Sequence, residues 1–108
     1  MKVIEETWGL EETVLETEEY RVKRLTLKPN ESLPYVYHTS IGVCWTVGFG
    51  DGIIIQDSSE LNLFAGTWWI LPQGSSYMAK AGSNGLVLLQ TETGNISENK
   101  VCPTSLFI

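Results

Sequence analysis

The 108-residue sequence predicts an all-β domain, arranged as an antiparallel sandwich or barrel. Short segments rich in β-branched and aromatic residues follow one another along the chain, and several show the alternating pattern of half-buried strands. Clusters of glycine, proline, asparagine and aspartate separate them, as at Gly50-Asp51-Gly52 and Pro72-Gln73-Gly74. Many short strands with turn signals between them are typical of sandwiches and barrels.

The individual strands follow from the same reasoning, taken in chain order. The glutamate-rich stretch 11–20 is predicted as a strand, because Thr13, Val14, Thr17 and Tyr20 favour extended structure and a helix there would lack an apolar stripe. The remaining predicted strands are Tyr20–Leu27, Leu33–Tyr37, Val43–Phe49, Ile53–Ile55, Leu61–Phe64, Thr67–Leu71, Tyr77–Lys80 and Leu86–Thr93. The apolar end of the chain, Ile96–Ile108, is expected to dock onto its own domain or onto a partner subunit.

Composition and charge narrow the class of protein. Hydrophobic residues make up 43% and charged residues 19%, and the formal net charge is −6. Such an acidic chain repels phosphate backbones, so nucleic-acid binding is not expected. No apolar run is long enough for a membrane span, and the acidic N-terminus has no signal-peptide core. We therefore expect one domain over residues 1–108, a cytoplasmic location, and reduced thiols at Cys44 and Cys102, which form no CxxC pair.

A set of motifs in a particular order resembles a known family. They are Trp8-Gly9, Tyr20-Arg21-Val22-Lys23-Arg24-Leu25, Leu27-Lys28-Pro29, Leu33, His38, Trp45, Gly50, Leu71-Pro72-Gln73-Gly74 and Gln90-Thr91-Glu92-Thr93-Gly94. From about Trp8 to Gly94 the chain resembles the cupin domain of type II mannose-6-phosphate isomerases, which is often fused to a mannose-1-phosphate guanylyltransferase. The resemblance implies an antiparallel double-stranded β-helix, the jelly-roll barrel of cupins.

The resemblance also implies a metal site that this sequence has mostly lost. Members of the family hold a divalent metal inside the barrel with glutamine, histidine, glutamate and a second histidine. With Trp45 as anchor, these positions fall at Val36, His38, Val43 and Tyr77. Valine cannot coordinate a metal, and tyrosine does so well only when ionised. We therefore expect no bound metal, no cofactor and no metal-dependent isomerase activity.

A barrel without its metal leaves an interior with apolar walls and a few polar groups, which is typical of a small-molecule pocket. Strand parity predicts that the interior gathers a set of candidate ligand-binding residues, and none of them is assigned a catalytic role. They are Lys23, Val36, His38, Val43, Trp45, Trp69 and Tyr77, with Leu71 beside them. The same residues could instead fill the barrel as a core.

Three functions fit this sequence. The first is a cupin-fold protein that binds a small, sugar-like or metabolite-like ligand in the barrel. The second is a residual isomerase or epimerase that works without metal through His38 and Tyr77 as an acid–base pair. The third is a non-catalytic interaction subunit with a filled barrel.

The sequence also predicts pairing of two chains. Trp68 and Trp69 are adjacent and must face opposite sides of a strand, so one of them is available to solvent or a partner. Exposed tryptophan is a common interface anchor. The family resemblance also implies pairing, by strand exchange or sheet packing, and we expect a homodimer.

Overall fold

The computed structural model describes residues 2–38, 41–71, 73–94 and 101–103, and within 36–38 and 101–103 it describes the backbone alone. Over these residues the chain consists of strands, turns and loops and contains no helix, so it presents no helical segment that could cross a membrane. The strands are β1 Lys2–Glu6, β2 Gly9–Glu16, β3 Tyr20–Leu27, β4 Val36–His38, β5 Ile41–Gln56, β6 Ser59–Phe64, β7 Trp68–Leu71, β8 Ser76–Gly94 and β9 Val101–Pro103.

Two long strands, β5 and β8, organise the fold. They pair with each other antiparallel, from Ile41 opposite Gly94 to Gln56 opposite Tyr77. The first half of β5 and the second half of β8 belong to a sheet in the order β1-β2-β3-β8-β5-β7. Their other halves continue into a second sheet, where β8 also pairs with β4 and β5 with β6, while β9 extends the sheet beyond β4. All pairings are antiparallel, which is the double-stranded β-helix that the sequence predicted.

The passage from one sheet to the other depends on glycine. The register of β5 against β8 shifts between Val47 and Phe49 and again between Gly50 and Gly52. Gly50 has a φ of +82°, and a Cβ there would lie 2.0 Å from the carbonyl oxygen of Gly85. Only glycine permits both this backbone conformation and this close approach. The two strands can therefore bend at the same place and remain paired on both sides of the bend.

The core lies between the two sheets and follows the alternation of the strands. In β5, residues 41, 43, 45 and 47 are buried, while their neighbours are half-buried or exposed. Burial of each large apolar side chain stabilises the fold by roughly 1.5–3 kcal/mol. The buried apolar residues are Trp8, Leu25, Leu27, Leu33, Ile41, Val43, Trp45, Val47, Ile54, Leu63, Leu71, Tyr77, Ala79, Ala81, Leu86 and Leu88.

Most predicted strands are observed, with differences in their bounds and number. β3 has the predicted bounds, the strand predicted over 11–20 is β2 and ends at Glu16, and the strand predicted as Leu33–Tyr37 is β4, which covers only Val36–His38. The segments predicted as Val43–Phe49 and Ile53–Ile55 form the single strand β5, and those predicted as Tyr77–Lys80 and Leu86–Thr93 form β8. β1 was not predicted. Of the apolar end of the chain, Val101–Pro103 pairs with β4, and the rest lies outside the described residues.

Candidate functional site

Polar side chains are concentrated at one end of the barrel interior. Cross-strand partners in an antiparallel sheet point to the same face. One inward row across β3, β8, β5 and β7 contains Arg21, Glu92, Val43 and Leu71, and the next row contains Lys23, Gln90, Trp45 and Trp69. The rows that follow contain Leu25, Leu88 and Val47, and then Leu27 and Leu86. The barrel therefore has a polar end and an apolar end.

Glu92 is the centre of the polar end. Its side chain is fully buried, and its carboxylate accepts a 2.5 Å hydrogen bond from Arg21 Nε at Oε1. Lys23 Nζ lies 3.9 Å from Oε2, the other carboxylate oxygen. A buried carboxylate requires this kind of pairing, because an unpaired charge in a protein interior is strongly unfavourable. Arg21 and Lys23 thus neutralise Glu92 from one side of the interior.

The two cations have a second set of carboxylates toward solvent. Lys23 Nζ donates a 3.1 Å hydrogen bond to Glu11, and Arg21 Nη1 lies 3.6 Å from Glu16. The side chains of Arg21 and Lys23 are 16% and 12% exposed, while that of Glu16 is 53% exposed. Arg21 and Lys23 therefore connect the buried carboxylate to carboxylates that reach solvent.

A chain of hydrogen bonds continues from Glu92 to the aromatic wall. Gln90 Nε2 donates a 2.6 Å hydrogen bond to Glu92 Oε2, and Trp45 Nε1 donates a 2.7 Å hydrogen bond to Gln90 Oε1. These bonds fix the orientation of the Gln90 amide, since its oxygen faces an N–H and its nitrogen faces a carboxylate. Trp45 and Tyr77 then meet edge to face, with ring centroids 4.9 Å apart and an interplanar angle of 87°.

Tyr77 remains a neutral phenol in this environment. Its side chain is completely buried, and burial raises the pKa of the phenol far above its ordinary value, with the negative charge of Glu92 as a second cause. Both causes act against the phenolate. At neutral pH the hydroxyl can donate a proton in a hydrogen bond, but the phenolate that would act as a base or a metal ligand does not form.

Trp69 forms the half-buried side of the same wall. It packs against the core, and its Nε1 points to Gln56 Oε1 at 3.5 Å, which is a long contact for a hydrogen bond. Its neighbour Trp68 is 62% exposed on the opposite side of β7. This confirms the prediction that the two tryptophans face opposite ways.

The structure brings most of the predicted site residues together. Val43, Trp45, Trp69 and Tyr77 line one continuous wall, and Lys23 reaches it through Glu92. The other two predicted residues, Val36 and His38, lie on β4, where the backbone of Val36 pairs with that of Tyr77. The side chains of these two residues are outside the described part of the structure.

Sequence reasoning missed Arg21, Gln90 and Glu92 as site residues, and it expected a more apolar interior. A signal for them was present. Gln90 and Glu92 share the parity of Leu86 and Leu88, which are buried, so they continue the inward side of the same strand. Arg21 has the parity of Lys23 in β3. The difference matters because these three residues supply most of the hydrogen-bonding groups in the interior.

Two of the residues at the family's metal positions, Val43 and Tyr77, have described side chains, and neither fits a divalent metal. Val43 offers no donor atom, and the Tyr77 phenol stays protonated. Glu92 is the nearest buried carboxylate, but it is already neutralised by Arg21 and Lys23. Among the residues whose side chains are described, no group of three or more His, Cys, Asp and Glu side chains could hold a metal ion.

Comparison with known proteins identifies the family. The model of the family described as mannose-6-phosphate isomerase C-terminal matches residues 2–102. The chain belongs to this family. It is a cupin, which confirms the resemblance seen in the motifs. No curated protein sequence matches the chain.

Solved structures show the same fold at low sequence identity. A conserved double-stranded β-helix protein from Klebsiella pneumoniae has a TM-score of 0.77 and 20% identity, over 85% of this chain and 82% of that one. The cupin domain of Schizosaccharomyces pombe Cnp3 has a TM-score of 0.76 and 13% identity, over 82% of this chain and 66% of that one. The 11S globulin of Wrightia tinctoria, whose structure reveals an auxin binding site, has a TM-score of 0.72 and 22% identity, over 80% of this chain and 23% of that one. The cupin therefore spans under a quarter of that globulin.

Proposed function

We propose that this cupin binds a small, hydroxylated ligand of the sugar or sugar-derivative class at the polar end of its barrel, and that it does not convert the ligand by metal chemistry. The observation that carries the proposal is the contrast between the two ends of one interior. Leucine, valine and alanine fill one end, while Glu92, Gln90, Arg21 and Lys23 occupy the other.

This contrast is informative because a buried ionic network stabilises a protein interior no better than packed apolar side chains do. Replacing a buried ion pair by packed apolar residues of similar size is often neutral or stabilising by about 1–4 kcal/mol. The apolar end shows that this barrel can be filled with aliphatic side chains. A polar end beside three aromatic side chains is therefore best explained by a ligand that needs those groups.

The chemistry of the wall favours hydroxyl-bearing ligands. Carboxylate and amide oxygens accept hydrogen bonds from hydroxyls, and the guanidinium and ammonium groups donate to ligand oxygens. Trp45, Trp69 and Tyr77 provide apolar surface for the C–H faces of a ring. Lys23 and Arg21 would bind an anionic substituent of the ligand, such as a phosphate.

The relatives are consistent with a binding role. The family is named for an enzyme that acts on a sugar phosphate, and the Wrightia globulin with the same fold has an auxin binding site. A protein that contains this fold can therefore bind a small organic molecule. The fold alone does not choose the ligand, because unrelated functions occur on one fold.

Metal-independent isomerisation is less well supported. An acid–base pair of His38 and Tyr77 needs one group that accepts a proton near neutral pH. Burial and the charge of Glu92 raise the pKa of Tyr77 far above neutral pH, so its phenol is poorly suited to donate or to accept a proton there.

Isothermal titration calorimetry with mannose 6-phosphate and with mannose tests the proposal. We expect binding of at least one of them in the micromolar to millimolar range, and no conversion of mannose 6-phosphate in the same solution. Trp45→Phe should weaken binding by roughly 10- to 100-fold, because it removes the indole N–H that holds Gln90 and part of the buried aromatic surface. Trp68→Phe is the control, since Trp68 faces away from the interior.

Two results would overturn the proposal. One is the absence of heat and of any change in melting temperature with both ligands at millimolar concentration. The other is equal weakening by Trp45→Phe and Trp68→Phe, which would locate the binding site outside the barrel.

A further inference from the structure

Arg21 and Lys23 are bonded differently to the carboxylates around them. Arg21 donates its hydrogen bond to the buried side, from Nε to Glu92, while its Nη1 lies 3.6 Å from Glu16, beyond hydrogen-bond distance. Lys23 shows the opposite arrangement, because its Nζ donates a 3.1 Å hydrogen bond to Glu11 on the solvent side and lies 3.9 Å from Glu92. Arg21 is therefore the main partner of the buried carboxylate, and Lys23 is the main partner of Glu11.

The pair of Lys23 and Glu11 lies between the barrel interior and solvent. Lys23 on β3 is directly opposite Thr13 on β2, and Glu11 is two residues from Thr13, so both charged side chains are on the inward side of their strands. The side chains of Lys23 and Glu11 are 12% and 24% exposed. Because solvent reaches both groups, the Glu11 carboxylate can leave Lys23 and be hydrated instead of remaining buried without a partner.

The charges of this network disfavour an additional anion. It contains the three carboxylates of Glu11, Glu16 and Glu92 and the two cations of Arg21 and Lys23, so its formal net charge is −1. An anion that approached Lys23 with Glu11 still in place would be repelled, and repulsion between like charges a few ångströms apart is strong where water is partly excluded. An anionic group therefore binds Lys23 favourably only when Glu11 moves away.

We propose that Glu11 determines the charge specificity of the polar end, because its carboxylate competes with an anionic group of the ligand, such as a phosphate, for the ammonium group of Lys23. The ligand anion takes the place of Glu11, so Glu11 lowers the affinity for anionic ligands relative to neutral ones. Glu92 stays in place, since it is completely buried and accepts hydrogen bonds from Arg21 and Gln90. The inference rests on the proposed function, because it concerns the same site.

Titration with inorganic phosphate tests the exchange without a sugar. Chemical-shift changes of backbone amides in β2 and β3 report the dissociation constant. Glu11→Gln keeps the size of the side chain but removes the competing charge, so it should bind phosphate roughly 10-fold more tightly than the wild type does. Adding Lys23→Gln to Glu11→Gln should abolish this gain, because it removes the ammonium group that receives the anion.

Glu12→Gln is the matched control. Glu12 is the next residue of β2 and has the opposite parity, and it pairs with Arg24 through two 2.8 Å hydrogen bonds. It changes the net charge of the chain by the same amount as Glu11→Gln, so a general effect of charge would appear in both variants. Its affinity for phosphate should stay within about two-fold of the wild type.

A more conservative variant keeps the test valid if Glu11→Gln does not fold. Glu11→Asp retains the charge but shortens the side chain, which lengthens its contact with Lys23. It should bind phosphate more tightly than the wild type, by a smaller factor than Glu11→Gln. Melting curves verify that each variant is folded.

Calorimetry with mannose 6-phosphate and mannose extends the test to the proposed class of ligand. Glu11→Gln should raise the affinity for mannose 6-phosphate relative to that for mannose by roughly 10-fold, because only the first carries an anionic group. Glu12→Gln should leave this ratio at its wild-type value. A ratio that Glu11→Gln does not change would overturn the inference.

The phosphate titration separates this inference from the proposed function. A gain in Glu11→Gln that disappears with Lys23→Gln supports the role of Glu11. Equal phosphate affinity of the wild type and the folded Glu11 variants, undetectable phosphate binding in all of them, or an equal gain in Glu12→Gln overturns that role, even if a neutral sugar binds in the barrel. Phosphate binding that depends on Glu11, in a protein that binds neither sugar, supports the role of Glu11 and overturns the proposed function.

Discussion

Replacing Glu92 by glutamine should be one of the most destabilising conservative substitutions in this protein. The variant keeps the shape of the side chain and an acceptor oxygen, but it removes the only charge that is completely buried among the described residues. Arg21 and Lys23 would then face a neutral group inside the barrel. They would be left with Glu16 and Glu11 at 3.6 Å and 3.1 Å.

The magnitude follows from these contacts. Breaking a buried ion pair by removing one partner typically costs about 3–5 kcal/mol. The cost is reduced here, because Arg21 and Lys23 are 16% and 12% exposed and keep their outer partners, and because glutamine still accepts a hydrogen bond. We expect a loss of about 2–4 kcal/mol in the free energy of unfolding. For a chain of this size, that corresponds to a fall in melting temperature of at least about 10 °C.

Urea denaturation of Glu92→Gln and Glu12→Gln provides the assay. Glu12 also pairs with an arginine, through two 2.8 Å hydrogen bonds to Arg24, but that pair is exposed to solvent. Exposed pairs contribute little, so Glu12→Gln should change the unfolding midpoint far less. A loss below about 1 kcal/mol for Glu92→Gln, which is the range of exposed pairs, would refute the assignment of Glu92 as a buried, paired carboxylate.

Three further predictions concern pH, backbone and metal. Burial raises the pKa of Tyr77 in the folded state, so above about pH 10 its phenol ionises in the unfolded chain and stays neutral in the folded one. The free energy of unfolding should therefore fall as the pH rises above about 10, and Tyr77→Phe should weaken this dependence in denaturation curves. Gly9→Ala should lower the free energy of unfolding by more than about 3 kcal/mol, because the new Cβ would lie 1.8 Å from the Thr26 carbonyl oxygen. Gly66→Ala is the control: Gly66 also has a positive φ, but a Cβ there would meet no heavy atom within 4 Å, so the cost should be about 1–2 kcal/mol. Elemental analysis of protein purified without chelator should find far less than one zinc, manganese, iron or nickel per chain. Near-stoichiometric metal that is lost in His38→Ala would contradict the expectation that the barrel binds no metal.

The strands were predictable where their boundaries are local. β3 is bounded by turn residues on both sides and shows regular alternation, so its limits could be read directly. β5 and β8 were each divided in two, because Gly50-Asp51-Gly52 and Gly82-Ser83-Asn84-Gly85 carry the composition of turns. The same glycines permit a bend within a paired strand. A local sequence pattern does not distinguish a turn between two strands from a bend within one strand, because the outcome depends on whether the partner strand bends at the same place.

The site was predictable in its aromatic part, at Val43 and at Lys23, but not in the rest of its polar network. Trp45 and Tyr77 follow from the alignment of the family motifs, and their burial agrees with it. Glu92 was missed because an acidic residue among polar neighbours indicates a solvated strand end. Its burial depends on Arg21, which is 71 residues away in the sequence. A buried charge is acceptable only with its partner, and that pairing is created by the fold.

The shared ladder of β5 and β8 has a consequence for how the protein folds. Its contacts join residues from 21 apart, at Gln56 and Tyr77, to 53 apart, at Ile41 and Gly94. Chains dominated by such distant contacts fold on the millisecond to second timescale, since the ordering entropy of long loops precedes the contacts that compensate it. Both sheets also depend on the same two strands, so neither can melt while the other persists. Amide protons of the two sheets should therefore exchange in one cooperative opening, and no stable half-folded state should accumulate.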